Sequence, residues 1–323
     1  MKVVVKQDEI VFENALSISF QRTLRIPDDG RVYPLPPGLG KFPVHRVEDY
    51  GARVPPAWKK EGGVFIPMYQ REALWIGFRG NPQKPFAVKI GIGKINAVSG
   101  EPWDNALHDN PQDYLVCPNQ PWLDGINAGD GYIRQFVAMP LGLGVTVEAQ
   151  LSGKEEFGGI QILVFKPQRG KLNAAALSAA ASGSEMLYGL ESFPVEMMGI
   201  GAGGKMKQKI YPDPYGSDIW NQNKYASIFV HLVNSEQYEK LTGLNPPQSP
   251  ISPQTYTQAG LPWFDLYDEE RGHLPAAKKL RKVKSINQSG KRKGVATEDD
   301  EPLKLDKMQI RKLHPRTAGK SKR

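Results

Sequence analysis

The amino-acid sequence predicts a mainly β protein, an antiparallel sandwich or barrel-like body with Gly/Pro-rich loops. A small α+β unit is attached to it, which makes an overall α+β class the alternative. The first observation behind this is composition. Gly and Pro number 33 and 27 among 323 residues, well above their combined average of roughly 12%. Glycine supplies positive φ and proline fixes φ, so the excess means many turns and few long helices. The second is spacing: about eight or more short β-branched or aromatic runs recur along the first half of the chain, divided by turn residues. The third is the alternation of apolar and polar residues in Gly144–Leu151, which reads as one arm of a hairpin.

In chain order, Val3–Val5, Ile10–Phe12 and Leu16–Phe20 are strand candidates, and Pro27-Asp28-Asp29-Gly30 is a turn signal. Tyr33-Pro34-Leu35-Pro36-Pro37-Gly38 must be extended, because each proline restricts itself and its predecessor. It is expected to be a rigid strap lying on the body. Val64–Ile66, Ala73–Phe78, Phe86–Ile92, Tyr114–Cys117 and Tyr132–Met139 follow as strands. The expected hairpin then joins Gly144–Leu151 to Phe157–Phe165 through Ser152–Glu156.

Residues 1–166 are therefore expected to form a β-rich domain. Residues 167–197 include Ala174–Ala176 and Ala179–Ala181 without a large apolar stripe, so they are expected to be a linker or mobile excursion. Residues 198–270 are expected to be a small α+β unit packed on the first domain. Its strands are Met206–Tyr211 and Ser227–Val233, and its helix is Asn234–Leu241, capped by Asn234 or Ser235 and stopped by Gly243. Residues 271–323 form a basic tail, expected to be largely disordered.

Charge follows the same division. The chain carries 42 Lys+Arg against 34 Asp+Glu, a net +8. From Arg271 onward there are 17 Lys+Arg against 5 Asp+Glu, which leaves 25 against 29 in the first 270 residues. A slightly acidic body with a basic extension gives no reason to expect that the body itself binds a polyanion. In the tail, Lys278, Lys279, Arg281, Lys282, Lys284, Lys291, Arg292 and Lys293 are the candidate polyanion contacts, for non-specific nucleic acid or an anionic surface. Lys320–Arg323 is a further basic cluster. Leu280, Val283 and Ile286 make a narrow apolar ridge that could dock on the body, a partner groove or a membrane surface. No transmembrane segment is expected, since no stretch approaches about 18 apolar residues. The apolar run Val3–Val5 is too short for a signal peptide, and Cys117 stands alone. A cytoplasmic protein is expected, with a nuclear location open if the host has a nucleus.

Motifs for common chemistries fail on context. Gly199, Gly201 and Gly204-Lys205 resemble a phosphate loop in spacing only: no buried strand precedes them, no helix follows, and Met206 replaces the magnesium-binding hydroxyl. A glycine turn leading into a strand is the expectation. Cys117 has no adjacent histidine and reads as an inert small hydrophobe. The loop Asp124–Gly131 departs from a calcium loop at Ile126 and Gln135, so a hairpin or bulge is expected. No catalytic residue, metal site or cofactor is expected.

One constellation stands out. Pro102-Trp103-Asp104, Pro121-Trp122-Leu123-Asp124 and Pro262-Trp263-Phe264-Asp265 each place a tryptophan after proline and an aspartate one or two residues on. Such loops can offer a flat face and a hydrogen-bond acceptor to a ligand or partner. The competing expectation is that each tryptophan plugs a loop into the core. Trp103, Asp104, Trp122, Asp124, Trp263 and Asp265 are thus the candidate contacts of a soluble binding or scaffold protein. The alternatives are a hydrolase-type enzyme with a loop site near His108, Asp109, Asp124 and Asp130, and a nucleic-acid-associated protein acting through its tail.

Overall fold

The computed structural model describes residues 1–172, 197–265, 272–295 and 301–312. The expected Ala/Ser-rich excursion lies mainly in 173–196, outside the described residues, as does the cluster Lys320–Arg323. The fold is mainly β: one large, mostly antiparallel sheet that does not close into a barrel, with a few short helices.

One half of the sheet runs through Val3–Lys6, Glu9–Phe12, Leu16–Thr23, Ala73–Gly80, Tyr132–Pro140 and Met197–Lys207, each antiparallel to the next. The other half runs through Leu115–Cys117, Phe86–Ile92, Ile160–Pro167 and Trp220–Asn234, again antiparallel. Val64–Met68 joins this half in parallel beside Val230–Asn234. The halves connect where Met197–Met198 pairs with Val233–Leu232. Alternate residues from both, such as Ile18, Phe20, Leu74 and Ile76 from one and Val88, Ile90, Ile162 and Val164 from the other, share a single core. Each such fully buried side chain contributes about 2 kcal/mol.

Most strand expectations agree with these bounds, and Phe86–Ile92 matches residue for residue. The expected helix is Ser235–Thr242, with the Asn234 side chain accepting the Glu236 N–H and Gly243 in the left-handed region. Three expectations need correction. The strands after residue 197 lie inside the common sheet and not in a unit packed upon it, since Met197–Lys207 and Trp220–Asn234 join its two halves. The glycines from Gly199 to Gly204 belong to the Met197–Lys207 strand itself, upstream of the expected Met206–Tyr211. The hairpin arm at Gly144–Leu151 is instead a helix, Val147–Ser152, capped by the Thr146 hydroxyl and ended by Gly153 at φ 80°. Alternation over so few residues was outweighed by a good cap and by two carboxylates that each gather loop N–H groups. Glu148 accepts N–H groups of Glu156, Phe157 and Gly158, and Glu155 accepts those of Gly142 and Gly144.

The glycine strand has a packing purpose. A Cβ at Gly201 would overlap the Ile286 side chain. Ile286 opens the helix Ile286–Lys293, which Ser285 and Gln288 cap reciprocally. Leu280, Val283 and Ile286 are all buried. Of the three surfaces open to this ridge, it occupies the body. The described part of the tail is therefore seated on the sheet, while 296–300 and 313–323 lie outside the described residues. Gly201→Val is expected to unseat this helix and free its backbone for trypsin at the already exposed Lys291–Lys293, raising the cleavage rate there at least tenfold. An unchanged cleavage rate would show that the glycine is not required for docking.

Candidate functional site

The proline strap behaves as its composition requires. Leu35 exchanges both backbone hydrogen bonds with Phe264, at 2.8 and 2.9 Å, and the Thr23 hydroxyl donates to the Pro37 carbonyl at 2.8 Å. This fixes Pro36 and Pro37 above the outer face of the sheet. Below them, Trp75 projects from the Ala73–Gly80 strand between two glycines: Cβ atoms built at Gly38 and Gly77 would lie 3.5 and 3.1 Å from its ring. Trp122 pairs with Gly77 on the next strand. Leu35, Pro36, Pro37, Gly38, Trp75, Trp122, Asp124 and Phe264 line a groove of about 240 Å³.

Among the described residues, Asp124 is the only ionisable one in that lining. Its backbone is pinned by the Gln208 side-chain oxygen and by the Phe136 N–H, both at 2.9 Å. The residue is 3% exposed. Burial pushes its carboxyl up to about 7, against an opposing hydrogen bond from the Trp122 side chain. Its second oxygen, Oδ2, is buried without a hydrogen-bond partner. Buried polar atoms are nearly always paired, so an orphan acceptor beside an aromatic groove is a candidate ligand contact.

The three Pro-Trp loops thus have different fates. The Pro121 loop supplies Trp122 and Asp124 to the groove. The Pro262 loop supplies only Phe264. Trp263 is fully buried and donates its indole N–H to the Thr257 hydroxyl at 3.2 Å, so it plugs the loop into the core. Asp265 pairs with Lys207 at 3.1 Å. The Pro102 loop lies elsewhere, with half-buried Trp103 packed on Gly91.

Asp104 belongs to a second cluster, built around a charge in the middle of an apolar strand. Lys89 is 1% exposed, and its ammonium group meets Asp104 at 2.6 Å, Asp113 at 2.7 Å and the Ala106 carbonyl at 2.6 Å. His108 Nδ1 is 2.8 Å from Asp113. Donor atoms of Asp104, His108 and Asp113 lie close enough to share a metal ion. The Lys89 ammonium already bridges the two carboxylates and offsets one of their two negative charges.

The four residues weighed for hydrolysis do not converge. His108 sits in the Lys89 cluster, and Asp109 accepts from the Ser217 hydroxyl at 2.6 Å. Asp124 lines the groove. Exposed Asp130 holds the tail, where the Ala276 N–H and the Arg281 guanidinium keep its carboxyl below the usual range. Cys117 is buried, and burial pushes its thiol up, away from the thiolate. The Asp124–Gly131 loop is a bulged hairpin closing at Gly129 and Tyr132. Along the tail, Lys279 pairs with Glu101 and Lys293 donates to the Gly144 carbonyl. Lys278, Arg281, Lys282, Lys284, Lys291 and Arg292 are exposed.

Sequence reasoning missed Trp75, the lining role of Pro36 and Pro37, and Lys89 with Asp113. Lys89 had a readable signal, because a lysine inside the continuous apolar run Phe86–Ile92 demands buried counter-charges. Trp75 had none, since a tryptophan in a strand is ordinary. Among the described residues no helix is long and apolar enough to cross a membrane. No protein-family model matches this chain, and neither characterised proteins nor solved structures yield a match.

Proposed function

We propose that this is a non-catalytic binding or scaffold protein whose recognition element is the groove over Asp124. The observation that carries the reading is the orphan Oδ2 of a buried carboxyl within a lining of Trp75, Trp122, Phe264, Pro36 and Pro37. Apolar concavities with one placed polar group are the usual form of a small-ligand or side-chain site. A cytoplasmic setting is part of the proposal and rests on the lone cysteine. In a fragment titration followed by indole N–H resonances, Trp75 and Trp122 should shift while the fully buried Trp58 and Trp263 stay in place. A panel of amines, proline peptides and sugars that moves none of the groove indoles at millimolar concentration would count against it.

A second reading concerns the tail. The exposed side chains of Lys278, Lys282, Lys284, Lys291 and Arg292 are carried on a backbone anchored to the body. Such a ridge would meet phosphates without sequence preference. Neutralising all five should flatten the salt dependence of RNA or DNA binding, with the log–log slope falling by roughly 4 units. Equal slopes for parent and variant would remove this reading and leave the groove untouched.

A further inference from the structure

We propose that the groove is a binding site for an organic ammonium group, held among Trp75, Trp122 and Phe264 against the Asp124 carboxylate. The inference rests on the groove being the recognition element, and it names the ligand class. Three features favour a cation over a neutral guest. Oδ2 of Asp124 needs a donor and has none. The aromatic side chains of the lining present faces of negative electrostatic potential, which attract alkylammonium groups. Among the described residues no cationic side chain lines the groove to occupy that position.

Four described cations on nearby strands are engaged elsewhere. On the neighbouring strands Arg79 pairs with Glu9, and Arg134 with Asp28. Lys205 reaches the Gly30 carbonyl, and Lys207 reaches Asp265. The volume of about 240 Å³ accommodates a small alkylammonium head but not a peptide segment. A strongly hydrated inorganic ion would gain little from tryptophan and proline walls, whereas methyl groups on nitrogen gain contact with them.

Binding of a cation requires the ionised carboxylate, so proton and ligand compete for Asp124. The occupied groove should release a proton below neutral pH. A guest of the same shape without charge should show no such linkage.

The test is a titration of the full chain with trimethylammonium chloride and, in parallel, with tert-butanol, a neutral molecule of similar shape. The indole resonances of Trp75 and Trp122 report binding. Trimethylammonium should bind about fiftyfold more tightly at pH 7 than at pH 5, following ionisation of a carboxyl titrating near 7. Tert-butanol should bind more weakly and equally at both values. Asp124→Asn should abolish the pH dependence and lower trimethylammonium affinity at least tenfold. Half-buried Trp75 offers a second variant, Trp75→Ala, which should weaken both probes while the fold persists. Equal affinity for the two probes without pH dependence overturns the cation inference but keeps the groove as an apolar site. Shifts with proline peptides or sugars and none with trimethylammonium do the same. No shift with any fragment class overturns both the inference and the proposed function.

Discussion

Lys89→Met is expected to destabilise the fold by roughly 3–5 kcal/mol, the cost of leaving one side of a buried ion pair uncompensated. Lys89 lies on the outer face of the Phe86–Ile92 strand, where Ala87 packs on Leu163 and Phe165 of a satellite core. Its ammonium group closes a loop by holding Asp104, Asp113 and the Ala106 carbonyl together. Trp103 adds its ring, 5.5 Å from the Lys89 nitrogen. Methionine fills the stem but offers nothing to the carboxylates, of which Asp113 is nearly fully buried. A fall in Tm on the order of 10 °C should follow for a fold of this size. The double variant Lys89→Met/Asp113→Asn should recover part of the loss, because the buried negative charge is then gone. A single variant that melts within about 2 °C of the parent would mean that the loop carries its carboxylates into solvent and that Lys89 is not what holds it.

The local rules of the fold were legible. Asn234 and Gly243 bound their helix as cap and stop, and the apolar run Phe86–Ile92 gave a buried strand to the residue. The ridge of Leu280, Val283 and Ile286 was visible as an amphipathic pattern, but its receptor was not. Glycine at Gly201 reads as a turn signal when nothing shows that a side chain from residue 286 needs the space. The same limit applies to the groove. The Pro-Trp-x-Asp spacing pointed to Trp122 and Asp124, which sit together in the chain. Trp75 and Phe264 come from distant segments and meet them only through strand pairing and the Leu35–Phe264 bridge. Within Trp263–Asp265, neighbouring side chains face opposite sides of a short strand. Which of Trp263 and Phe264 turns to the core is decided by Thr257 and Tyr256, not by the motif. Proline at Pro36 and Pro37 fixed an extended strap by its own chemistry, so that element needed no tertiary knowledge.

Asp124→Asn should make the protein more stable than the parent at pH 8 and remove a pH dependence that the parent shows. The sign follows from the direction of the shift. Burial raises the carboxyl of the folded state to about 7, whereas an exposed aspartate in the unfolded chain titrates near 3.9. Between those values the folded state keeps the proton and the unfolded state has lost it. Stability is therefore full below about pH 4 and is lost progressively as pH rises to about 7, by roughly 4 kcal/mol in total. Asparagine has no charge to desolvate and is immune to this loss. Its amide nitrogen lacks a partner where Oδ2 lacked one, which costs about 1–3 kcal/mol. The net gain at pH 8 should thus be on the order of 1–3 kcal/mol, turning into a deficit near pH 4. Urea unfolding of both proteins at pH 4, 6 and 8 separates this from the titration of other carboxylates, because those cancel in the difference. Parallel curves, with a constant gap at all three values, would mean that Asp124 ionises as freely in the fold as in the unfolded chain. A buried carboxyl in an apolar groove, where an amide is expected to be more stable at pH 8, fits the ammonium site proposed above. Adding trimethylammonium at pH 8 should accordingly close the stability gap from the parent's side alone.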